Sequence, residues 1–176
     1  MSGHNKWSQI KIKKGKTDAK KSQVFSKFAK LIANEARTAK GNKDAPMLRA
    51  AIERARKENM PSDNIERAIK KATEDSSASL ESVLYEAYGP GGVAILIEAL
   101  TDSRNRASNE IKHLLSENGG NLASPGAAAW AFEKTPEGWK PTTTVSLSDE
   151  DLAKLEALVE KLEAHDDIQE VITNAE

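Results

Sequence analysis

The chain has 176 residues, 38% of them hydrophobic and 30% charged, with no cysteine and a formal net charge of −1. That profile describes one or two globular domains with real cores, and it excludes wholesale disorder, disulfide scaffolds and thiolate chemistry. The near-zero balance hides an asymmetry: residues 1–75 hold 19 Lys+Arg against 9 Asp+Glu (+10), while residues 76–176 hold 7 against 18 (−11).

A basic stretch joined to an acidic one points to a polyanion-binding module attached to something else. No run approaches the ~18 apolar residues of a membrane span. The N-terminus is basic but lacks the apolar segment of a secretory signal, and Ser2 stands where N-myristoylation needs glycine. The expected location is the cytoplasm.

In chain order, residues 1–16 show no period and read as a flexible basic arm carrying Lys6, Lys11, Lys13, Lys14 and Lys16 around the single ring of Trp7. A helix starts at Thr17 or Asp18 and runs to about Lys40, before Gly41. Phe25, Phe28, Ile32 and Ala36 form its apolar stripe, with Lys20, Lys27, Lys30 and Arg37 opposite and Lys21 near its start. Pro46 opens a second helix with Leu48, Ala51, Ile52 and Ala55 inward and Arg49, Arg54, Arg56 and Lys57 around them. After PSDN comes a third, shorter stripe of Ile65, Ala68, Ile69 and Ala72.

Thr73 to Glu81 is small, polar and acidic, and reads as a linker. Beyond it the period changes to that of strands. SVLYEAY and VAILIEAL are strands joined by the GPGG turn, the second apolar on both faces and hence central. A helix with Ala107, Ile111, Leu114 and Leu115 follows, stopped by Gly119-Gly120. AAAWAFEK reads as a strand with Ala128, Trp130 and Phe132 on one face, and TTTVSL as another. A helix with Leu152, Leu155, Val159 and Leu162 inward precedes a last strand, IQEVIT. From Val93 the order is β-α-β-β-α-β, the ferredoxin-like pattern, with one extra strand hairpinned on its front. The expected fold is therefore α+β: a basic arm and three-helix domain over 1–72, a linker over 73–81 and a ferredoxin-like α/β domain over 82–176.

Catalytic patterns are missing. His4, His113 and His165 have no companion at metal-ligand spacing, and His165-Asp166-Asp167 reads as a solvated helix end. GPGG lacks the Gly-Lys-Ser/Thr of a phosphate loop and lies between strands, so it is a hairpin turn. No enzyme, cofactor or metal is expected. The basic N-terminal part suits phosphate contact, with Trp7 as either a base-stacking ring or a packing anchor. Arg104 and Arg106 oppose the dipole of the helix they begin, so phosphate contact or ion pairs within the domain must account for them.

GHNKW, DAKKSQVFSKFAKLI, LRAAIERA, ENMPSDNIERAIKKA, YEAYGPGGVAILIEALTDSRNR, GGNL and LEAHDDIQEVITN together resemble the YebC/PmpR family, which includes the mitochondrial translational activator of cytochrome c oxidase subunit I. The resemblance runs through nearly the whole chain. It implies a helical first domain, α/β domains after it and no catalytic activity. It also implies a regulator of gene expression: a DNA-binding transcriptional regulator, or a ribosome-associated factor that eases translation through consecutive prolines. Family members carry a third α/β domain inserted within the second, and here only EKTPEGWKPTTTVS stands in its place.

The favoured reading is a translation factor binding ribosomal RNA. The nucleic-acid site would be Lys6, Trp7, Lys11, Lys13, Lys14, Lys16, Lys20, Lys21, Lys27 and Lys30, with Arg104 and Arg106. A DNA-binding regulator using the same surface is the alternative, and a protein-interaction module whose acidic half docks a basic protein is the third. No membrane partner is expected, and a monomer is assumed.

Overall fold

The three apolar stripes of the N-terminal part close on one another. The structure, a computed structural model, describes residues 5–176; Ser2 and His4, singled out above, lie outside them. Lys16–Leu80 forms one unit built from α1's successors along the chain, α2 (Asp18–Thr38), α3 (Pro46–Lys57) and α4 (Ser62–Glu74), α1 itself being Lys6–Lys14. Thr17 caps α2, its hydroxyl accepting the Lys20 N–H at 3.2 Å, which satisfies a donor the helix start leaves free. Gly41, at φ +80°, turns the chain back so that its N–H reaches the Ala36 carbonyl at 2.8 Å. Ile32, Leu48, Ile52, Ile65 and Ile69 are buried together, with Phe25 and Phe28 partly covered beside them. The buried polar side chain of Asn34 accepts the Leu80 N–H at 2.7 Å. The irregular stretch after α4 is thus tied down at its end.

The second unit contains α1 together with Glu81–Glu176. Its elements are β1 (Glu81–Tyr88), β2 (Ala94–Thr101), α5 (Arg104–Glu117), β3 (Asn121–Ala123), β4 (Phe132–Thr135), β5 (Gly138–Pro141), α6 (Asp149–Glu163) and β6 (Ile168–Thr173). Four strands form an antiparallel sheet in the order β3-β1-β2-β6, and β4 and β5 form a separate two-stranded ribbon. One sheet face, with Tyr85, Ala87, Ile95 and Ile97, packs with Ile111 and Leu115 of α5 and Leu155, Leu158 and Leu162 of α6. The other, with Ala94, Leu96 and Ile172, is covered by Ala128, Ala131 and Phe132. Alternation along each strand divides the side chains between the two cores. β2 is buried on both faces and lies in the middle, as its continuous apolar run predicts.

The α+β class and the two helices against an antiparallel sheet agree with the sequence reading, but several elements are placed differently. The edge strand after α5 is Asn121–Ala123, three residues from GGNLA, too short to show a period. Gly120 permits it, because a Cβ there would lie 2.8 Å from the Tyr88 carbonyl oxygen on β1. AAAWAFEK begins as a turn of 3-10 helix over Ala129–Ala131 and becomes a strand only at Phe132. TTTVSL contributes one bridge, between Val145 and Ala175. The expected flexible arm is a helix over Lys6–Lys14, and it groups with the α/β unit instead of the three helices. Trp7 is the physical cause, as its indole is only 5% exposed and lies within the α/β core.

Glu86 on β1 holds the turn before the ribbon. Its carboxylate is buried and accepts three backbone N–H groups, from Gly126 at 2.7 Å and from Ala128 and Ala129 at 2.8 Å. Burial pushes its acidity down, but the three N–H donors together outweigh it, and the group sits below the ordinary carboxylate range. A depressed folded pKa gives stability that is complete above the ordinary value and disappears as pH falls through the folded one. Glu86→Gln should therefore lower the melting temperature at neutral pH, and the difference from the parent should shrink on acidification below about pH 4.3, the unperturbed glutamate value. Thermal melts at pH 7 and pH 3 check this.

The GPGG turn needs its glycines. Gly91 and Gly92 have φ of +69° and +76°. A Cβ on Gly91 would also collide with the Leu147 side chain and come within 3.0 Å of an Asp151 carboxylate oxygen, whereas one on Gly92 meets nothing. Gly92→Ala should cost about 1 kcal/mol for the left-handed backbone alone, and Gly91→Ala more. Urea denaturation of the two variants tests the ranking.

Candidate nucleic-acid interface

The lysines of the N-terminal part do not share one fate. Asn5 caps α1 by accepting the Ser8 N–H at 2.8 Å, and Trp7 fixes which side of the helix faces the protein. Lys6 then pairs with Asp149 at 3.0 Å, and Lys14 with Glu156 at 2.7 Å and Glu160 at 3.3 Å, all three carboxylates on α6. The hydrogen bond to Glu156 leads the causes that raise the Lys14 ammonium above its ordinary value. Eight residues separate Lys6 from Lys14, about 12 Å of helix, a span that seven to eleven residues of α6 match. Exposed ion pairs of this kind contribute ~0–1 kcal/mol each. Trp7 therefore supplies most of the docking and the pairs set the direction.

Lys11 and Lys13 are exposed, as is Lys16 just past Gly15. On α2, Lys21 is exposed, while Lys20, Lys27 and Lys30 are half-buried and already hold interactions. Lys11, Lys13, Lys16 and Lys21 have no ion pair among the described residues. The helical unit, residues 16–80, holds 15 Lys+Arg against 9 Asp+Glu, a balance of +6. Further exposed cations in it are Arg56 and Lys57 at the end of α3 and Arg67 and Lys71 on α4. Arg67, Lys70 and Lys71 line an open concavity with Glu74 and Asp75. The sequence reading placed the α3 cations around an apolar stripe without assigning them to the site, and left out those of α4. Their charge was visible, but which of them lack a carboxylate partner depends on folding.

Arg104 and Arg106 are explained by ion pairs. Arg104 meets Glu81 at 2.6 Å. Arg106 reaches Asp102 at 2.9 Å, Glu110 at 3.0 Å and the nearly buried carboxylate of Asp167 at 2.6 Å. These bonds, Asp102 first and Asp167 next, hold its guanidinium even more firmly protonated than usual. Asp167 also accepts from the Thr101 hydroxyl at 2.9 Å. His165 accepts the Asp167 N–H at Nδ1, 3.1 Å, which leaves Nε2–H to donate to Glu110 at 2.6 Å. Glu110, His165 and Asp167 bring three ligand atoms within 4.8 Å of one another. Arg106 bonds to both of those carboxylates, so a guanidinium already supplies the positive charge a metal would bring.

The stacking role open to Trp7 is likewise closed by its burial. Trp130 was expected to share one strand face with Ala128 and Phe132, yet it lies in the 3-10 turn and is 62% exposed while those two are buried. Trp7→Ala should lower the unfolding free energy by about 3–5 kcal/mol, the range for removing a buried large aromatic side chain. Lys11→Gln, which touches no packed stripe, should change it by less than about 0.5 kcal/mol. Urea unfolding followed by circular dichroism compares the two.

Two family models match the chain. One, described as the TACO1/YebC protein N-terminal domain, covers residues 5–75; the other, described as the TACO1/YebC second and third domain, covers 80–138 and 136–175. The two pieces of the second meet at residues 136–138, the tip of the β4–β5 ribbon. A probable transcriptional regulatory protein of Desulfosudis oleivorans is 48% identical over 180 residues, spanning all of this chain and 72% of that protein. One from Fervidobacterium nodosum is 46% identical over 173 residues, spanning 96% and 68%. The crystal structure of a conserved hypothetical protein, Aq1575 of Aquifex aeolicus, superposes with a TM-score of 0.73 at 31% identity, over 90% of this chain and 91% of that one.

Proposed function

The chain belongs to the TACO1/YebC family, and we propose that it is a non-enzymatic, nucleic-acid-binding regulator of gene expression that holds ribosomal RNA and eases elongation through proline-rich stretches. The observation that supports this most is the set of exposed cations left over after folding. Lys11, Lys13, Lys16 and Lys21 are near one another along the chain, reach solvent and have no carboxylate partner among the described residues. Lysine ammonium groups are point charges that contact phosphate without reading bases. Arg49, exposed in the first turn of α3, pairs with Glu53 on its own helix, and lysine predominates on the rest of the exposed basic surface. Shape and phosphate recognition of folded RNA asks for no base-reading helix.

A DNA-binding regulator is the second reading. It is favoured by the names of the relatives, which are called probable transcriptional regulatory proteins. Both readings use the same phosphate contacts, and crosslinking in cells followed by sequencing separates them by recovering ribosomal RNA or promoter DNA.

Four to six phosphate contacts should give log K against log salt a slope of roughly −3 to −5. Changing Lys11, Lys13 and Lys16 together to glutamine should reduce that slope by about 2 to 3 and weaken ribosome co-sedimentation, with the melting temperature unchanged. Lys14 is excluded from this variant because its ion pairs with α6 would confuse binding with stability. If the triple variant keeps both its slope and its ribosome association, these lysines are a solvated surface and the cations of α3 and α4 become the site to test.

A further inference from the structure

Trp130 combines exposure with restraint. Its indole is 62% exposed, yet Nε1–H donates to both the Tyr88 hydroxyl oxygen at 3.1 Å and the Ala127 carbonyl at 3.0 Å. The Tyr88 hydroxyl in turn donates to that same carbonyl at 2.5 Å. The turn carrying the ring is the one gripped by the buried Glu86 carboxylate. With its N–H occupied, the side chain offers a partner its ring face.

The surroundings indicate what would occupy that face. Gly119 to Phe132 contains no charged residue, in a chain where 30% of residues are charged. Depletion of charge around an exposed tryptophan is the composition of an interface centre. Three residues on, Glu133 is exposed with no ion pair among the described residues. The unit as a whole, residues 5–15 and 81–176, holds 11 Lys+Arg against 18 Asp+Glu, a balance of −7. On the ribbon, Lys134 and Lys140 already face Glu98 and Glu137. Such a field repels phosphate and attracts cations. A tryptophan face is the best side-chain acceptor for a cation, and the protein itself sets the Lys134 ammonium 5.0 Å from the Trp139 ring centroid.

We propose that Trp130, with Glu133, is a docking site for a basic polypeptide segment, an arginine or lysine of which lies over the indole. The Trp130 face would thereby engage a polycation, while the exposed lysines of α1 and of the helical unit engage a polyanion.

The test is calorimetric titration of the full chain with a ten-residue peptide of alternating arginine and glycine at low salt, followed by tryptophan fluorescence. Binding is expected, with Trp130→Ala weakening it roughly five- to tenfold and Trp130→Phe retaining part of it. Glu133→Gln should weaken binding and make it less salt-dependent. The fluorescence change on binding should vanish in Trp130→Phe, whose fold is checked by its melting curve. Equal affinity of the parent and both Trp130 variants overturns the proposal, and so does absence of peptide binding. An oligouridylate that quenches Trp130 more strongly than the peptide binds would also overturn it, and would make the ring a nucleobase platform. The triple Lys11, Lys13 and Lys16 variant should bind the peptide at least as tightly as the parent does, since it leaves the α/β unit more acidic, so this result stands apart from the nucleic-acid reading.

Discussion

Burial of the Trp7 indole in the α/β core is the constraint on which the arrangement of the chain depends. It carries α1 into the second unit, so that the three-helix unit becomes an excursion that leaves at Gly15 and returns at Glu81. The same burial orients α1, directing Lys6 and Lys14 to the carboxylates of α6 and leaving Lys11 and Lys13 in solvent. A single aromatic side chain thus sorts a run of similar lysines into two chemical roles.

The charge asymmetry acquires a different meaning once the chain is folded. Four lysines of the first fifteen residues belong to the acidic unit, so the contrast of +10 against −11 along the sequence becomes +6 against −7 between the folded units. What remains unpaired is smaller than composition suggests and better defined. In the α/β unit the arginines at the start of α5 pair with carboxylates while remaining partly exposed. Arg106 offsets three acidic groups, one of them nearly buried, where an unpaired carboxylate would be costly.

Buried polar groups here serve architecture. Glu86 satisfies three backbone N–H groups that a turn leaves without partners, Asn34 holds the end of the segment after α4, and His165 is locked in one tautomer between Asp167 and Glu110. Each spends its hydrogen bonds inside the protein. Unlike these satisfied groups, the exposed cations of the helices and the ring of Trp130 are turned toward solvent.

The sequence by itself determined the α+β class, the three amphipathic helices, the central position of β2 and the glycine-dependent turn after β1. All of these are local: periodicity places Ile32, Leu48 and Ile65 inward, a two-sided apolar run buries β2, and the left-handed backbone at Gly91 and Gly92 favours glycine. Tertiary structure decided where α1 docks, that Asn121–Ala123 rather than AAAWAFEK completes the sheet, and which cations keep their charge for a partner. Each of these turns on a contact between residues far apart in the chain, Lys14 with Glu156, Arg106 with Asp167, Gly120 beside Tyr88. A lysine run carries no mark of the carboxylate it will meet, so charge was legible in the sequence and its availability was not.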